Sequence, residues 1–374
     1  MMKGFPIFLL AIFFFGCKTE KVKKETENTD TMTTSFYVGT YTQKDAKGIY
    51  KYKLSEHGKL EKIGLVAETI NPTFLTKSKD DKVLFAVGET NVNGTGFVKS
   101  FKIEKDSLHL ISKEESGGGG PCFVAINDDN YIVTANYGGG SVGLLKADAS
   151  GKLSEVLNVQ QHIGKGITER QEGPHAHSAW FHPTKKEVIS VDLGTNELLF
   201  STIDTQKKQL IPTVQKSLKM AEGAGPRHLT FHPNNKWIYV LNELNNTVSI
   251  VKEKEGVYFV DASISTLPKD FTAYSKAADI HISKDGAFLY ASNRGHESIV
   301  IYKVNSEDGS LKTVGYESVL GKNPRNFSLS PDEQFLLVAN QDTDNIVSFK
   351  RDATTGKLTF VSEVVAPMPV CILF

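Results

Sequence analysis

Residues 225–251 read GPRHLTFHPNNKWIYVLNELNNTVSIV, and this stretch decides the fold. It contains two short β-rich runs, Leu229–Phe231 and Trp237–Leu241, separated by Pro and Asn residues that favour a tight turn. After a second turn at a pair of Asn residues, Thr247–Val251 alternates small polar with apolar side chains, as a strand does. The stretch therefore predicts a β-hairpin followed by a third strand.

The same pattern recurs along the chain. When the other segments are aligned on Pro226, the repeat is roughly fifty residues long, and a period of that length with only short β-runs indicates four-stranded β-propeller blades. Six copies are present, so six blades are predicted. Their aligned positions are Pro72, Pro121, Ala176, Pro226, Ala277 and Pro324.

The two ends of the chain supply a seventh blade. Pro369–Phe374 matches the start of a repeat and a first strand, but the chain stops before a second strand. The missing strands lie at the other end, where Ser35–Thr42 resembles a second strand and Gly48–Leu54 a third. We therefore predict an all-β, seven-bladed propeller over residues 35–374, closed by pairing of the C-terminal strand with N-terminal strands, which covers the strand edges.

The segment before the propeller resembles a bacterial lipoprotein signal. One basic residue, Lys3, precedes an apolar run, and a small residue stands directly before Cys17. The run is about eleven residues, too short to span a bilayer core of ~30 Å. We expect cleavage at Cys17 and lipidation of its thiol, with residues 18–34 as a disordered tether because they are polar and charged. An ordinary signal peptide with an incidental cysteine is the alternative. The expected location is the bacterial cell envelope, with membrane contact only through the lipid.

Composition argues against some partners. The chain has 43 basic and 43 acidic residues, so no extended basic face for nucleic acid is indicated. Cys122 and Cys371 are expected to be buried free thiols, with a disulfide as the alternative. No spacing of cysteines suggests a metal site. A monomer is expected, without a cofactor.

Candidate functional residues lie where the repeats differ. In a propeller, the start of each first strand and the end of each second strand meet at the same rim. A purely structural ring would repeat one residue type there, but charged side chains converge instead, which is typical of a site in a concave mouth. The alternative is that these charges only pair with one another. The residues at these places include Glu89, Tyr137, His177, Arg227, Glu243, Arg294, Arg325 and Gln341.

Two histidines stand out in the third repeat. His175 and His177 are spaced two apart and so lie on the same side of a strand. A metal pair is one interpretation, but no third ligand is near in sequence, so we expect no metal here.

Five motifs together resemble the seven-bladed propeller lactonase family, which includes the propeller-type 6-phosphogluconolactonases and the fungal carboxy-muconate lactonizing enzymes. The resemblance covers nearly everything after the tether. It implies that the His, two Arg and Glu of the muconate enzymes correspond to His177, Arg227, Arg294 and Glu243. A cytosolic role in sugar-phosphate metabolism does not fit a lipoprotein signal, so we expect a periplasmic sugar or aldonic lactone as the substrate. The motifs are Tyr37–Thr42, Gly118–Cys122, Gly173–His177, Gly225–His228 and Ala291–Arg294.

These residues suit lactone hydrolysis without a metal or organic cofactor. His177 would act as a general base near neutral pH, and Glu243 would orient it or share the proton transfer. Arg227 and Arg294 would hold an anionic group and stabilise the oxyanion. The remaining residues expected to bind substrate are His175, Tyr137, Glu89, Arg325 and Gln341.

Two other functions remain open. One is a muconate-type lactonizing activity, and the other is a non-catalytic propeller that binds an anionic ligand or glycan, with His177 as a hydrogen-bond donor. Acid release from a lactone would distinguish a hydrolase from a binding protein, which would show only a ligand-induced thermal shift.

The substitution Cys17→Ser tests the lipid anchor. It should abolish lipid labelling and block lipoprotein maturation, because the thiol is the expected attachment site. Recovery of the wild-type protein without lipid and with an unblocked N-terminus elsewhere would contradict the assignment.

Overall fold

Seven four-stranded antiparallel sheets follow one another along residues 33–374. The structure is a computed structural model that describes residues 1–2, 4–6 and 33–374. The predicted lipidation site Cys17 and the tether residues 18–32 lie outside the described residues. Thr33 and Thr34, predicted as tether, belong instead to the first strand, which begins two residues before the expected domain start at Ser35.

The first three blades each form one sheet in chain order. Blade 1 contains β4 (Leu75–Lys77), β5 (Val83–Val92), β6 (Thr95–Ile103) and β7 (Leu108–Glu115). Blade 2 contains β8 (Pro121–Ile126), β9 (Tyr131–Asn136), β10 (Ser141–Lys146) and β11 (Asn158–Gln161). Blade 3 contains β12 (Ala176–Phe181), β13 (Val188–Asp192), β14 (Glu197–Asp204) and β15 (Gln209–Lys219), preceded by a short 3₁₀ helix at Glu169–Gln171.

The other blades repeat this order, and the last combines both chain ends. Blade 4 contains β16 (Pro226–Phe231), β17 (Trp237–Asn242), β18 (Thr247–Lys254) and β19 (Val257–Ser265). Blade 5 contains β20 (Lys276–Ile282), β21 (Phe288–Arg294), β22 (Ser298–Val304) and β23 (Leu311–Ser318). Blade 6 contains β24 (Pro324–Leu329), β25 (Phe335–Asn340), β26 (Asn345–Arg351) and β27 (Leu358–Val365). Blade 7 contains β28 (Pro369–Leu373), β1 (Thr33–Thr40), β2 (Gly48–Ser55) and β3 (Leu60–Glu68).

The core lies between neighbouring blades. Buried side chains form clusters that join one sheet to the next, as where Trp237 and Tyr239 of blade 4 pack with Leu289 and Tyr302 of blade 5. Such packing makes each blade depend on both neighbours.

Among the residues that the structure describes, none of the helical segments has the length and apolar character of a membrane span.

A bulge at the start of the first strands turns one side chain out of the ladder. In blade 3, Ala176 pairs with Asp192 and Ser178 with Val191, so His177 has no opposite residue. A bulge of this kind bends the strand and re-aims the extra side chain. The same irregularity occurs at Cys122, Arg227 and Arg325 in blades 2, 4 and 6.

Closure of the ring by the chain ends is confirmed. β28 pairs antiparallel with β1, with Val38 opposite Ile372 and Gly39 opposite Cys371. A Cβ on Gly39 would lie 2.2 Å from the carbonyl oxygen of Pro72, so glycine permits the close approach of blade 1. The prediction of buried free thiols is also confirmed for Cys122 and Cys371.

Deletion of residues 369–374 should lower the stability of the propeller far more than the loss of six residues from an exposed terminus would. It removes the inner strand of blade 7, and with it Val370 and Ile372, which are 3% and 6% exposed. Each apolar side chain of this kind contributes about 1.5–3 kcal/mol when fully buried, and deletion also exposes the edge of β1. Thermal unfolding of the two proteins measures the difference, and melting within a few degrees of wild type would contradict the closure.

Candidate active site

A cavity of about 160 Å³ lies at the mouth of the channel. Six residues predicted from the repeats line it, and two further cations, Arg170 and Lys276, join them. Arg227 lies just beneath, along a smaller void that also contacts Cys122 and Arg325. The cavity lining comprises Glu89, Cys122, Tyr137, Arg170, His177, Glu243, Lys276, Arg294 and Arg325.

Two larger hollows lie at the opposite rim. They have volumes of about 510 and 580 Å³ and are lined by turns between first and second strands, such as Asn127–Asp129 and Ser78–Asp80. Neither contains the predicted site residues. We therefore take the smaller mouth cavity as the candidate active site, because converging charge rather than size characterises it.

Glu243 is the centre of the charged cluster. Its Oε2 lies 3.1 Å from Nε of Arg227 and 2.8 Å from Nη2 of Arg294, while Oε1 lies 3.2 Å from Nη2 of Arg170. Burial opposes ionisation of this carboxyl, but the guanidinium groups of Arg294 and Arg227 outweigh it and hold the pKa of Glu243 below its usual range. One carboxylate thus fixes three cations.

The predicted roles of Arg227 and Glu243 change in the light of this cluster. Arg227 is only 2% exposed and donates a hydrogen bond to the carbonyl of Ala278, so its guanidinium is enclosed by protein. Glu243 binds guanidinium groups and has no hydrogen bond to His177 among the described residues. The expectation that Glu243 orients His177 is therefore wrong.

His177 lies beside Cys122 at the base of the cavity. Its carbonyl oxygen is 3.3 Å from the Cys122 sulfur, and its Nδ1 is 3.7 Å from the same atom. Burial, followed by the charges of Arg227, His228 and Arg325, lowers the pKa of His177 well below its ordinary value. The imidazole is therefore neutral at neutral pH.

Aromatic and polar side chains fill the channel below His177. Phe123 packs on Phe74 at 4.4 Å and on Trp180 at 4.7 Å between ring centroids. His228 lies 5.3 Å from His177, and its Nδ1 is 2.8 Å from the buried carboxylate of Asp279. This packing closes the channel beneath the cavity, so access is from the mouth.

Two further lining residues, Glu89 and Arg325, are linked through Tyr41. The Tyr41 hydroxyl donates to Glu89, with distances of 2.8 and 3.0 Å to the two carboxylate oxygens, and accepts a hydrogen bond of 3.0 Å from Arg325. Arg325 also lies over the Tyr41 ring at 5.3 Å. Tyr41 thus joins an anion and a cation that have no direct ion pair in the described part of the chain.

His175 and Gln341 do not line the cavity. His175 stacks on Tyr137 at 4.5 Å, and its backbone N–H donates to Asp192, which is also 2.6 Å from Nδ1 of His162. His175 therefore supports Tyr137 from behind. The backbone N–H of Gln341 donates to the carbonyl oxygen of Asn323, and neither residue lines the cavity.

The sequence comparison of repeats missed Arg170, Lys276 and Tyr41. Arg170 lies in the long connection between blades 2 and 3, which has no counterpart in the repeat. Lys276 stands one residue before the aligned position of blade 5, and Tyr41 one residue after β1. The signal available in the sequence was a cation in a long connection that the repeat does not explain.

No group of three or more His, Cys, Asp or Glu side chains in the described ranges is arranged to hold a metal ion. The closest histidine–carboxylate arrangement, around Asp279, is explained by hydrogen bonds to His228 and His281.

Replacement of Glu243 by Gln should destabilise the fold. Arg227 and Arg294 are 2% and 5% exposed, and the substitution leaves their buried charges without a counter-ion. Removing one partner of a buried pair costs about 3–5 kcal/mol. Urea unfolding measures the loss. Glu104→Gln is the control, since its pairs with Lys102 and His109 are exposed and should change the free energy of unfolding little. Equal losses in both variants would contradict the structural role of Glu243.

Comparison with known proteins identifies the family. The family described as "Lactonase, 7-bladed beta-propeller" matches residues 35–374. The chain is 38% identical over 345 residues to a 6-phosphogluconolactonase of Bacillus subtilis, covering 90% of this chain and 97% of that protein. It is 36% identical to a 6-phosphogluconolactonase of Formosa agariphila, covering 78% and 85% of the two chains.

A solved structure has a closely similar fold. The periplasmic gluconolactonase of Pseudomonas aeruginosa matches with a TM-score of 0.87 at 29% identity, over 91% of this chain and 98% of that one. The resemblance inferred from the sequence motifs is thereby confirmed. This chain belongs to the seven-bladed β-propeller lactonase family.

Proposed function

We propose that this lactonase hydrolyses a sugar or sugar-acid lactone, of the kind opened by 6-phosphogluconolactonases, in the mouth cavity. The observation that carries the proposal is a buried imidazole, that of His177, at the base of a cavity lined by four basic and two acidic side chains. The excess of positive charge favours an anionic substrate and the oxyanion formed during ester hydrolysis.

His177 is the proposed general base. Its neutral imidazole takes a proton from water as the water oxygen bonds to the lactone carbonyl carbon, which forms a tetrahedral oxyanion. Collapse of this intermediate breaks the ring C–O bond, and the proton on His177 passes to the departing ring oxygen. The product is a hydroxy acid, which ionises and releases acid. The guanidinium groups of Arg294 and Arg325 line the cavity and stabilise the oxyanion.

Glu243 and Arg227 have a positioning role in this proposal. Arg227 is enclosed beneath the cavity, and Glu243 holds it together with Arg294. Cations fixed in this way need no reorganisation as negative charge develops, which is the main advantage of a preorganised site.

The proposed location is the periplasmic or outer face of the cell envelope, with a lipid on Cys17. The named periplasmic location of the Pseudomonas aeruginosa relative supports it. Thr40 pairs with Pro369 at the mouth, so β1 runs towards the mouth and Thr33 joins the propeller at the opposite rim. We also propose a monomer, since β28 closes the ring within one chain.

Purified residues 33–374 should release acid from glucono-lactones in a pH-stat faster than the spontaneous reaction. His177→Ala should lower kcat by roughly 10²-fold or more, the usual scale for a positioned acid–base group. His109→Ala, at an exposed site on the outer strand of blade 1, is the control. A near wild-type rate in His177→Ala would rule out its role as the base. Binding of lactones without acid release would favour the non-catalytic propeller.

The pH profile tests the same assignment. Because the folded-state pKa of His177 lies well below 6.5, the base stays deprotonated as the pH falls through that value. We expect the plateau of kcat/KM to extend below pH 6.5 and to fall only when the imidazole finally gains a proton. A drop centred near pH 6.5 would show that another group controls the rate.

A further inference from the structure

Two cations at the mouth, Arg170 and Lys276, lie outside the aligned rim positions and have contacts unlike those of the other site residues. Arg170 reaches the cavity from the 3₁₀ helix between blades 2 and 3, and Lys276 from the first residue of β20 in blade 5. Because they come from different blades, they approach the cavity from different sides.

Lys276 forms no ion pair within the described part of the chain. Its side chain is half-buried in the cavity wall, and no carboxylate among the described residues lies within ion-pair distance of it. Burial, followed by the nearby charge of Arg294, lowers the pKa of Lys276. An ammonium group left unpaired next to other cations is stabilised when an anion binds beside it.

Of the three arginines described as paired with Glu243, Arg170 is the most exposed to solvent. Its side chain is 45% exposed, against 2% for Arg227 and 5% for Arg294. Its other contact is a hydrogen bond of 2.9 Å to the Tyr137 hydroxyl at the edge of the cavity. If Arg170 moves away, Glu243 keeps both buried guanidinium groups, so its negative charge remains compensated.

We propose that Lys276 and Arg170 form the specificity-determining anion site, which binds the phosphate or carboxylate of the sugar lactone remote from the reacting ester. Arg170 exchanges Oε1 of Glu243 for the anionic group of the substrate, and Lys276 supplies the second positive charge. Arg294 and Arg325, held by Glu243 and Tyr41, remain for the oxyanion. This inference rests on the proposed lactone hydrolysis and assigns its preference among lactones to two residues.

The test compares 6-phosphoglucono-, glucaro- and glucono-lactone as phosphate-bearing, carboxylate-bearing and neutral substrates. Lys276→Gln and Arg170→Gln should each lower kcat/KM for at least one charged lactone by roughly 10- to 100-fold, the scale of a hydrogen bond to a charged group. The losses on the neutral lactone should be at least several-fold smaller. Lys276→Arg should keep most of the wild-type kcat/KM for the charged lactones because it keeps the positive charge.

Lys322→Gln is the matched control. Lys322 is an exposed lysine on the connection into blade 6 at the same rim, outside the cavity. It changes the net charge equally, so equal losses in Lys322→Gln and Lys276→Gln would reduce the effect to general electrostatics and overturn the inference. Equal losses on charged and neutral lactones would also overturn it.

Calorimetric binding of 6-phosphogluconate, glucarate and gluconate separates this inference from the proposed function. If no lactone is hydrolysed, the proposed function fails, but the anion site still predicts weaker binding of at least one of the two extended acids to Lys276→Gln and Arg170→Gln. Unchanged dissociation constants for both acids in these variants would refute the anion site even in an active enzyme.

Discussion

The pairing of β28 with β1 is the interaction on which the rest of the structure depends. It joins the two ends of the chain in one sheet and leaves no blade without both neighbours. At the starts of the first strands, bulges turn Cys122, His177, Arg227 and Arg325 out of their ladders. The site therefore combines a closed ring with one repeated irregularity in the backbone.

The cations at the mouth differ in burial, and their proposed roles differ accordingly. Arg227 and Arg294 are enclosed and held by Glu243, so they contribute fixed positive charge at the cost of desolvation. Arg170 and Lys276 are more accessible and less completely paired, which suits groups that contact a ligand. His177 is kept neutral by the same burial and positive surroundings that favour an anion in the cavity.

Sequence alone was sufficient for the fold, because residues 225–251 carry strand, turn and period signals that recur in every blade. The rim positions of Glu89, Tyr137, His177, Glu243, Arg294 and Arg325 followed from strand direction. The roles of the individual residues could not be predicted from the sequence. The pairing of Glu243 with guanidinium groups and the low pKa of His177 both depend on burial, which only the structure shows. Arg170 lies in a connection that has no repeat, so periodicity could not place it at the mouth.

A crystal structure with the product 6-phosphogluconate would decide whether the mouth cavity binds and opens an anionic sugar lactone. We expect the new carboxylate beside His177 and Arg294, with the phosphate between Lys276 and an Arg170 that has moved away from Glu243. Product bound in either hollow at the opposite rim, with the mouth cavity left to solvent, would show that the mouth cavity is not the active site.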